Sequence, residues 1–112
     1  RQNDGREKMN SAIIAAAGSG TRFGAETPKQ FLEIAGKPLI VHTLEKFENC
    51  FSIDEIVLVL SSNETENFQN LSKGYKFAKL KKIVAGGKTR AESVFNGLQA
   101  VNENCAIVAV HD

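Results

Sequence analysis

The stretch IIAAAGSGTRFGAETPKQF, residues 13–31, decides how the rest of the chain is read. It opens as an apolar run, turns through Gly18-Ser19-Gly20, and then supplies Arg22, the pair Pro28-Lys29 and Phe31. A continuous apolar run of this length suits a strand buried on both faces, which is the signature of a parallel sheet. Ile13 to Ala17 is therefore the core of a first strand, starting near Ser11, and the glycines form the turn at its carboxyl end. Outward from there, Ile56–Leu60 (IVLVL) reads as a second buried strand, Ile83–Ala85 as a short third and Ala106–Val110 as a fourth. Between them, Ile40, Leu44 and Phe47 fall on one helical stripe, with Pro38 suited to the first turn. Phe68 and Leu71 mark a thin apolar edge behind N-cap-type residues. Val94, Leu98 and Val101 mark a third helix over Thr89–Val101, with Gly97 a mild defect. Strands alternating with helices imply βαβ units and a Rossmann-like, three-layer α/β/α fold with a mostly parallel sheet.

The chain has 112 residues, enough for one domain with a single core. Its net charge of +1 and charged content of 24% demand neither nucleic acid nor an anionic membrane as partner. The lysines between Lys73 and Lys82, interleaved with Tyr75 and Phe77, read as a solvated surface loop rather than a nucleic-acid site. No apolar run approaches the roughly 20 residues that span a bilayer. Cys50 and Cys105 lie far apart and outside metal-ligand spacing, so two free thiols are expected. Residues 1–8 are polar and lack the apolar segment of a signal peptide. They read as a disordered extension or non-native leader ahead of Met9, where the folded part begins. The apolar CAIVAVHD ends the sequence where a covering helix would be expected, so the sheet reads as truncated after its fourth strand.

Ligands of open parallel sheets bind outside the carboxyl ends of the strands. Three such ends carry polar or glycine-rich segments: GSGTR (18–22), GGKTRAES (86–93) and His111-Asp112. A dinucleotide fingerprint needs a third glycine at position 23, which is Phe23, and VLVLSS lacks the ribose-binding acid. A Walker A loop needs a glycine five residues before Gly87, and that position is Lys82. A phosphate-binding loop with chemistry beside it remains. Gly18 and Gly20 let main-chain N–H groups approach an anion. Arg22 offers a fork of donors and Lys29 a compact charge, a combination suited to a pentacoordinate phosphorus centre. A glycine turn with two surface cations is the competing reading, and residue types alone leave both open. No Ser-His-Asp set, Cys-His pair or metal-ligand cluster is apparent. His42 falls inside a helix and His111 at a strand end. A site without a general base suits a nucleophile that arrives ionised, such as a phosphate monoester with its second pKa of about 6.

The segments AAAGSGTRFGAETPKQF, GKPLIVHTLEKF, GGKTRAESVFNGL and VHD together resemble the 2-C-methyl-D-erythritol 4-phosphate cytidylyltransferases of non-mevalonate isoprenoid biosynthesis. The likeness runs in order from about Ser11 to Asp112 and implies that residues 9–112 are the N-terminal nucleotide-binding part of a cytidylyltransferase domain. It implies a fold of the nucleotide-diphospho-sugar transferase type, and transfer of a cytidylyl group from CTP to a sugar-alcohol phosphate with Mg²⁺. It further implies that Ala16, Ala17, Gly18, Ser19, Gly20 and Lys88 belong to the nucleotide site. By the same resemblance Arg22 and Lys29 are catalytic, acting on the transition state, and Ala16, Gly87 and Ser93 read the cytosine. Arg90 matches the arginine of the GG-x-x-R-x-x-S pattern, and Asp112 the acid that meets the metal. Family members continue beyond VHD into a second half that completes the acceptor site and pairs subunits. A full-length homodimer in the bacterial cytoplasm or plastid stroma is the corresponding expectation. A ribitol 5-phosphate cytidylyltransferase shares the loop, and a nucleotide-binding module without turnover is the reading from another class. Retention of both Arg22 and Lys29 favours an enzyme over a module.

Overall fold

The computed structural model describes residues 8–17 and 29–111. Four parallel strands build the main sheet: β1 (Met9–Ala16), β4 (Glu55–Leu60), β5 (Leu80–Ala85) and β6 (Cys105–His111), in the order β5-β4-β1-β6. A two-residue hairpin, β2 (Glu33–Ile34) and β3 (Lys37–Pro38), lies between β1 and helix α1 (Leu39–Glu48). Helices α2 (Thr65–Leu71) and α3 (Arg90–Ala100) complete the elements. The chain moves outward from β1 through β4 to β5, then returns to place β6 on the opposite flank of β1. The order of connections therefore reverses between β1 and β6, the position at which open α/β sheets take ligands.

Alternate residues of the central strands feed two cores. Ala12, Ile14 and Ala16 of β1, with Ile56, Leu58 and Leu60 of β4, pack against Ile40, Val41 and Leu44 of α1 and Phe68 of α2. Ile13, Val57 and Val59 face the other way, under Ala100 and Val101 at the end of α3. Helices on both faces explain why all six residues of β4 are buried and why the strand shows no apolar–polar alternation. Three layers are thus present, as expected. Burial of each large aliphatic side chain here contributes about 1.5–3 kcal/mol. At the flank, the consecutive Lys81 and Lys82 of β5 are exposed, a device that discourages edge pairing.

Two local expectations are corrected. Pro38 stands just before α1 rather than in its first turn: its ψ of 147° is extended, and it ends the hairpin strand. The expected inner stripe of α3 holds only in part: Val101 packs on the core of Ile13, Val57 and Val59, but Leu98 is 43% exposed, and the buried residues of the helix are Ser93 and Gly97. The reason is separation: a Cβ on Gly97 would lie 2.8 Å from Ile13 Cγ2 and 3.1 Å from Val59 Cγ2. Gly97 is therefore what lets the helix sit so close to the sheet, and its low helix propensity is the cost of that contact.

The hairpin carried no clear sequence signal. Its turn needs positive φ at both central residues, met by Ala35 (55°) and Gly36 (84°), and alanine in that region costs about 1–2 kcal/mol. Compensation comes from α1: Lys37 Nζ meets Glu45 Oε1 at 2.8 Å, and His42 Nε2 lies 2.5 Å from the Ile34 carbonyl oxygen. His42 is thus a structural ring, as its place in a helix suggested.

Candidate nucleotide site at the strand ends

The carboxyl ends of β1, β4 and β5 converge, and small residues make that convergence possible. Ala16 is buried and Ala17 half-buried where β1 ends. A Cβ on Gly86 would lie 2.2 Å from Ala17 Cβ and 2.7 Å from Ser93 Oγ. Only glycine fits at position 86, because its neighbours are a short side chain on a strand end and a buried hydroxyl. The Gly86 N–H donates to the Leu60 carbonyl at 2.8 Å, fastening the end of β5 to the end of β4.

The next residues are organised by the first turn of α3. Thr89 is the N-cap, and its hydroxyl accepts from the Glu92 N–H at 3.1 Å. The Glu92 carboxylate reaches back to the Lys88 N–H at 2.6 Å. This is a capping box displaced by one residue, for which the T-x-x-E spacing of Thr89 and Glu92 was the available signal. Ser93, 4% exposed, accepts from the Gly87 N–H at 3.1 Å. The Gly86-Gly87 backbone is thereby held from both sides. Lys88 and Arg90 remain exposed at the amino end of α3. Cations at a helix amino terminus oppose the helix dipole, so these two add to a positive potential rather than neutralise it. Glu92 in the same turn offsets part of that charge, its carboxylate already taking the Lys88 N–H.

Ala16, Ala17, Gly87, Lys88, Arg90 and Ser93 are therefore brought to one end of the sheet. Lys29 is exposed at the start of a single 3-10 turn, Lys29–Phe31, whose Phe31 packs on the core beside α1. Gly18, Ser19, Gly20, Arg22 and Asp112 lie outside the described residues. His111 turns out to be a packing residue, its ring centroid 5.5 Å from that of Phe47 on α1. Two of the basic-patch lysines have structural partners: Lys79 Nζ donates to the Cys50 carbonyl and Lys82 Nζ to the Ala100 carbonyl, each at 2.7 Å. Neither Cys50 nor Cys105 is in a disulfide. The Cys50 thiol is held below its ordinary pKa, first by the Ser52 hydroxyl and then by the Ser52 backbone N–H, with desolvation opposing them and the Ile53 N–H and the charge of Lys79 adding smaller effects in the lowering direction.

Sequence reasoning missed Ser61. It had served only to show that β4 lacks a ribose-binding acid, yet its hydroxyl donates to the Ala17 carbonyl at 2.6 Å. The opposite end of the sheet carries a different polar cluster. Buried Glu55 accepts from Ser11 Oγ at 2.5 Å and from the Asn102 N–H at 3.0 Å, tying β1, β4 and the approach to β6 together away from the site.

Comparison with known proteins places this geometry. The family model described as "IspD: 2-C-methyl-D-erythritol 4-phosphate cytidylyltransferase" matches residues 10–112. The chain belongs to this family. It is 48% identical over 103 residues to the 2-C-methyl-D-erythritol 4-phosphate cytidylyltransferase of Clostridium botulinum strain 657, covering 92% of this chain and 45% of that protein. It is 50% identical over 103 residues to the protein of the same name from Clostridium tetani, covering 42% of it. The crystal structure of 4-diphosphocytidyl-2C-methyl-D-erythritol synthase from Anaerococcus prevotii superposes with a TM-score of 0.77 at 32% identity, over 94% of this chain and 43% of that one. The chain thus spans somewhat under half the length of the curated relatives it matches. The main sheet and its helices are the nucleotidyltransferase fold of these relatives.

Among the described residues no group of three or more His, Cys, Asp or Glu side chains could hold a metal ion. Mg²⁺ asks for less, since it is commonly held by one or two carboxylates together with substrate phosphates. No described helix is long and apolar enough to cross a membrane.

Proposed function

We propose that the protein catalyses cytidylyl transfer from CTP to 2-C-methyl-D-erythritol 4-phosphate, releasing pyrophosphate. The observation that carries this is the family match across residues 10–112, which includes every strand end of the candidate site. The acceptor's phosphate oxygen attacks the α-phosphorus of CTP, a new O–P bond forms, and the bond to the β-phosphate oxygen breaks in line. An ionised phosphate monoester needs no general base. The absence of a catalytic His or Asp dyad from the sequence motifs fits that chemistry.

Catalysis then rests on positioning and on stabilising charge. Gly18, Ser19 and Gly20 offer backbone N–H groups to the triphosphate, and Arg22 and Lys29 stabilise charge on the pentacoordinate phosphorus. The base lies against the strand ends formed by Ala16, Gly87 and Ser93. Ser93 contributes through the Gly87 amide it holds as well as by its own hydroxyl. Lys88 and Arg90 add positive potential at the amino end of α3. Mg²⁺, held by Asp112 and the phosphates, supplies further neutralisation of the triphosphate when bound. A homodimer formed through sequence outside this chain, and action in a bacterial cytoplasm or plastid stroma, complete the proposal.

The test is turnover: CTP and 2-C-methyl-D-erythritol 4-phosphate are incubated with the protein and Mg²⁺, with ribitol 5-phosphate as the competing acceptor. Equimolar 4-diphosphocytidyl-2-C-methyl-D-erythritol and pyrophosphate are expected. Exclusive use of ribitol 5-phosphate would replace the acceptor, and CTP binding without transfer to either acceptor would leave a nucleotide-binding module.

A further inference from the structure

Among the described strands β5 is outermost, paired with β4 on one side only. Where it ends, the Gly86 N–H points inward and donates to the Leu60 carbonyl at 2.8 Å. A trans peptide is planar with its C=O directed opposite to its N–H, so the Ala85 carbonyl of the same unit points off the free edge. Carbonyls on such an edge have no ladder partner. This one is met by α3 instead: Asn96 Nδ2 donates to it at 3.0 Å. The peptide joining Ala85 to Gly86 is therefore held at both ends, once by the sheet and once by the helix.

The same bond fixes the roll of α3. Ser93 and Gly97 face the sheet, and Gly97 brings no side chain that could interlock with it. Asn96 lies about 100° round the helix from Gly97 on the β5 side, and Leu98 about 100° round on the other. Leu98 is 43% exposed, whereas half-buried Asn96 is bonded to the strand end. Asn96 is one turn from Ser93, whose hydroxyl accepts from the Gly87 N–H at 3.1 Å. A helix that rolled on its glycine contact would carry Ser93 away from Gly87, and the Asn96 bond opposes that roll. Asparagine is a poor helix former because its amide competes for backbone groups. Here that capacity is directed at the Ala85 carbonyl on a neighbouring element.

We propose that Asn96 is a positioning residue for base recognition: by holding the Ala85 carbonyl it sets the direction of the Gly86-Gly87 backbone and the roll of α3 that brings the Ser93 hydroxyl to the Gly87 N–H. This rests on the nucleotide-site reading above and deepens it. Asn96 touches no substrate atom in this account. Its loss should therefore relax the choice of base, while an anion that carries no base binds as before.

The test compares the parent protein with Asn96→Ala and Lys82→Met by NMR titration with CTP, UTP and inorganic triphosphate. Alanine is the stronger helix former, so the first variant keeps its helix. Lys82→Met removes a second bond between β5 and α3, from Lys82 Nζ to the Ala100 carbonyl, about two turns from Ser93. It loosens the far end of the helix without touching the Ala85 carbonyl. Expected for Asn96→Ala are moved Ala85 ¹³C′ and Gly87 amide shifts in the nucleotide-free protein. The preference for CTP over UTP should fall roughly two- to tenfold, the scale of one net hydrogen bond, with triphosphate affinity unchanged. Lys82→Met should keep the parent's preference. The proposal is overturned if the Gly87 amide shift or the base preference of Asn96→Ala stays at the parent value. It is also overturned if CTP, UTP and triphosphate weaken by the same factor, or if Lys82→Met lowers the preference equally. A parent that prefers another base overturns the cytidylyl reading alone, provided Asn96→Ala lowers that preference in the same way. A parent that binds no nucleotide, or shows no base preference, overturns both.

Discussion

Replacing Gly86 by alanine probes the convergence of strand ends more sharply than any other single substitution. The added Cβ would begin 2.2 Å from Ala17 Cβ and 2.7 Å from Ser93 Oγ. Carbon atoms rest at about 3.5–4.0 Å, so Ala17 and residue 86 must separate by roughly 1.3 Å or more. Neither partner is a flexible side chain that could swing aside. Moving Ala17 stretches its bond from Ser61, and moving residue 86 stretches the bonds Gly86 N–H to Leu60 and Gly87 N–H to Ser93. Overpacking of this kind costs about 1–3 kcal/mol, and one weakened hydrogen bond adds about 0.5–1.5 kcal/mol. The more restricted unfolded chain returns about 0.4–1 kcal/mol. The net expectation is a loss of about 0.5–4 kcal/mol, read by urea denaturation as a lower midpoint with unchanged slope. Nucleotide binding should fall along with stability, since the same atoms shape the site. A Gly86→Ala protein as stable as its parent, or more so, would show that the strand ends are not packed as described.

Other substitutions test separate parts of the account. Lys29→Ala should lower kcat for cytidylyl transfer by about two decades or more, the scale of one transition-state charge contact; an unchanged kcat removes Lys29 from the mechanism. Glu55→Ala would strand the Ser11 hydroxyl and the Asn102 N–H, both now donating to one carboxylate oxygen. A buried donor left unsatisfied costs about 1–3 kcal/mol, so a loss of about 2 kcal/mol in urea is expected with CTP preference intact, and a shift under about 0.5 kcal/mol contradicts it. Because Ser52 is the largest cause lowering the Cys50 pKa, Ser52→Ala should move the pH profile of Cys50 alkylation to higher pH. Less thiolate would then be present near neutrality and alkylation there would slow; a superimposable profile would refute the assigned cause.

The strands and helices were legible because their signals are strong and local. A strand buried on both faces writes itself as an unbroken apolar run, as Ile56–Leu60 does, and α1 carries its stripe at Ile40 and Leu44. What escaped notice was carried by residues too small or too ordinary to mark themselves. Gly97 looked like a weakness in a helix because its value lies in Ile13 and Val59, distant in sequence. The apolar stripe drawn through Leu98 failed for the same reason, since an inner face made of Ser93 and Gly97 has almost no hydropathy. The hairpin at 33–38 is too short for periodicity, and half of its turn is an alanine held at positive φ by contacts from α1. At the site, glycines and cations were visible as types. That Ser93 holds the Gly87 amide and Ser61 the Ala17 carbonyl depends on which strand ends become neighbours, which no local pattern records.

The central claim is that these strand ends bind CTP, and its most direct test is a residue-resolved one. In a ¹H–¹⁵N NMR titration of the protein with CTP, saturable shifts are predicted at Ala16, Ala17, Gly87, Lys88, Arg90 and Ser93, with UTP producing them more weakly. Saturable shifts centred elsewhere, or none at these residues at saturating CTP, would contradict the account.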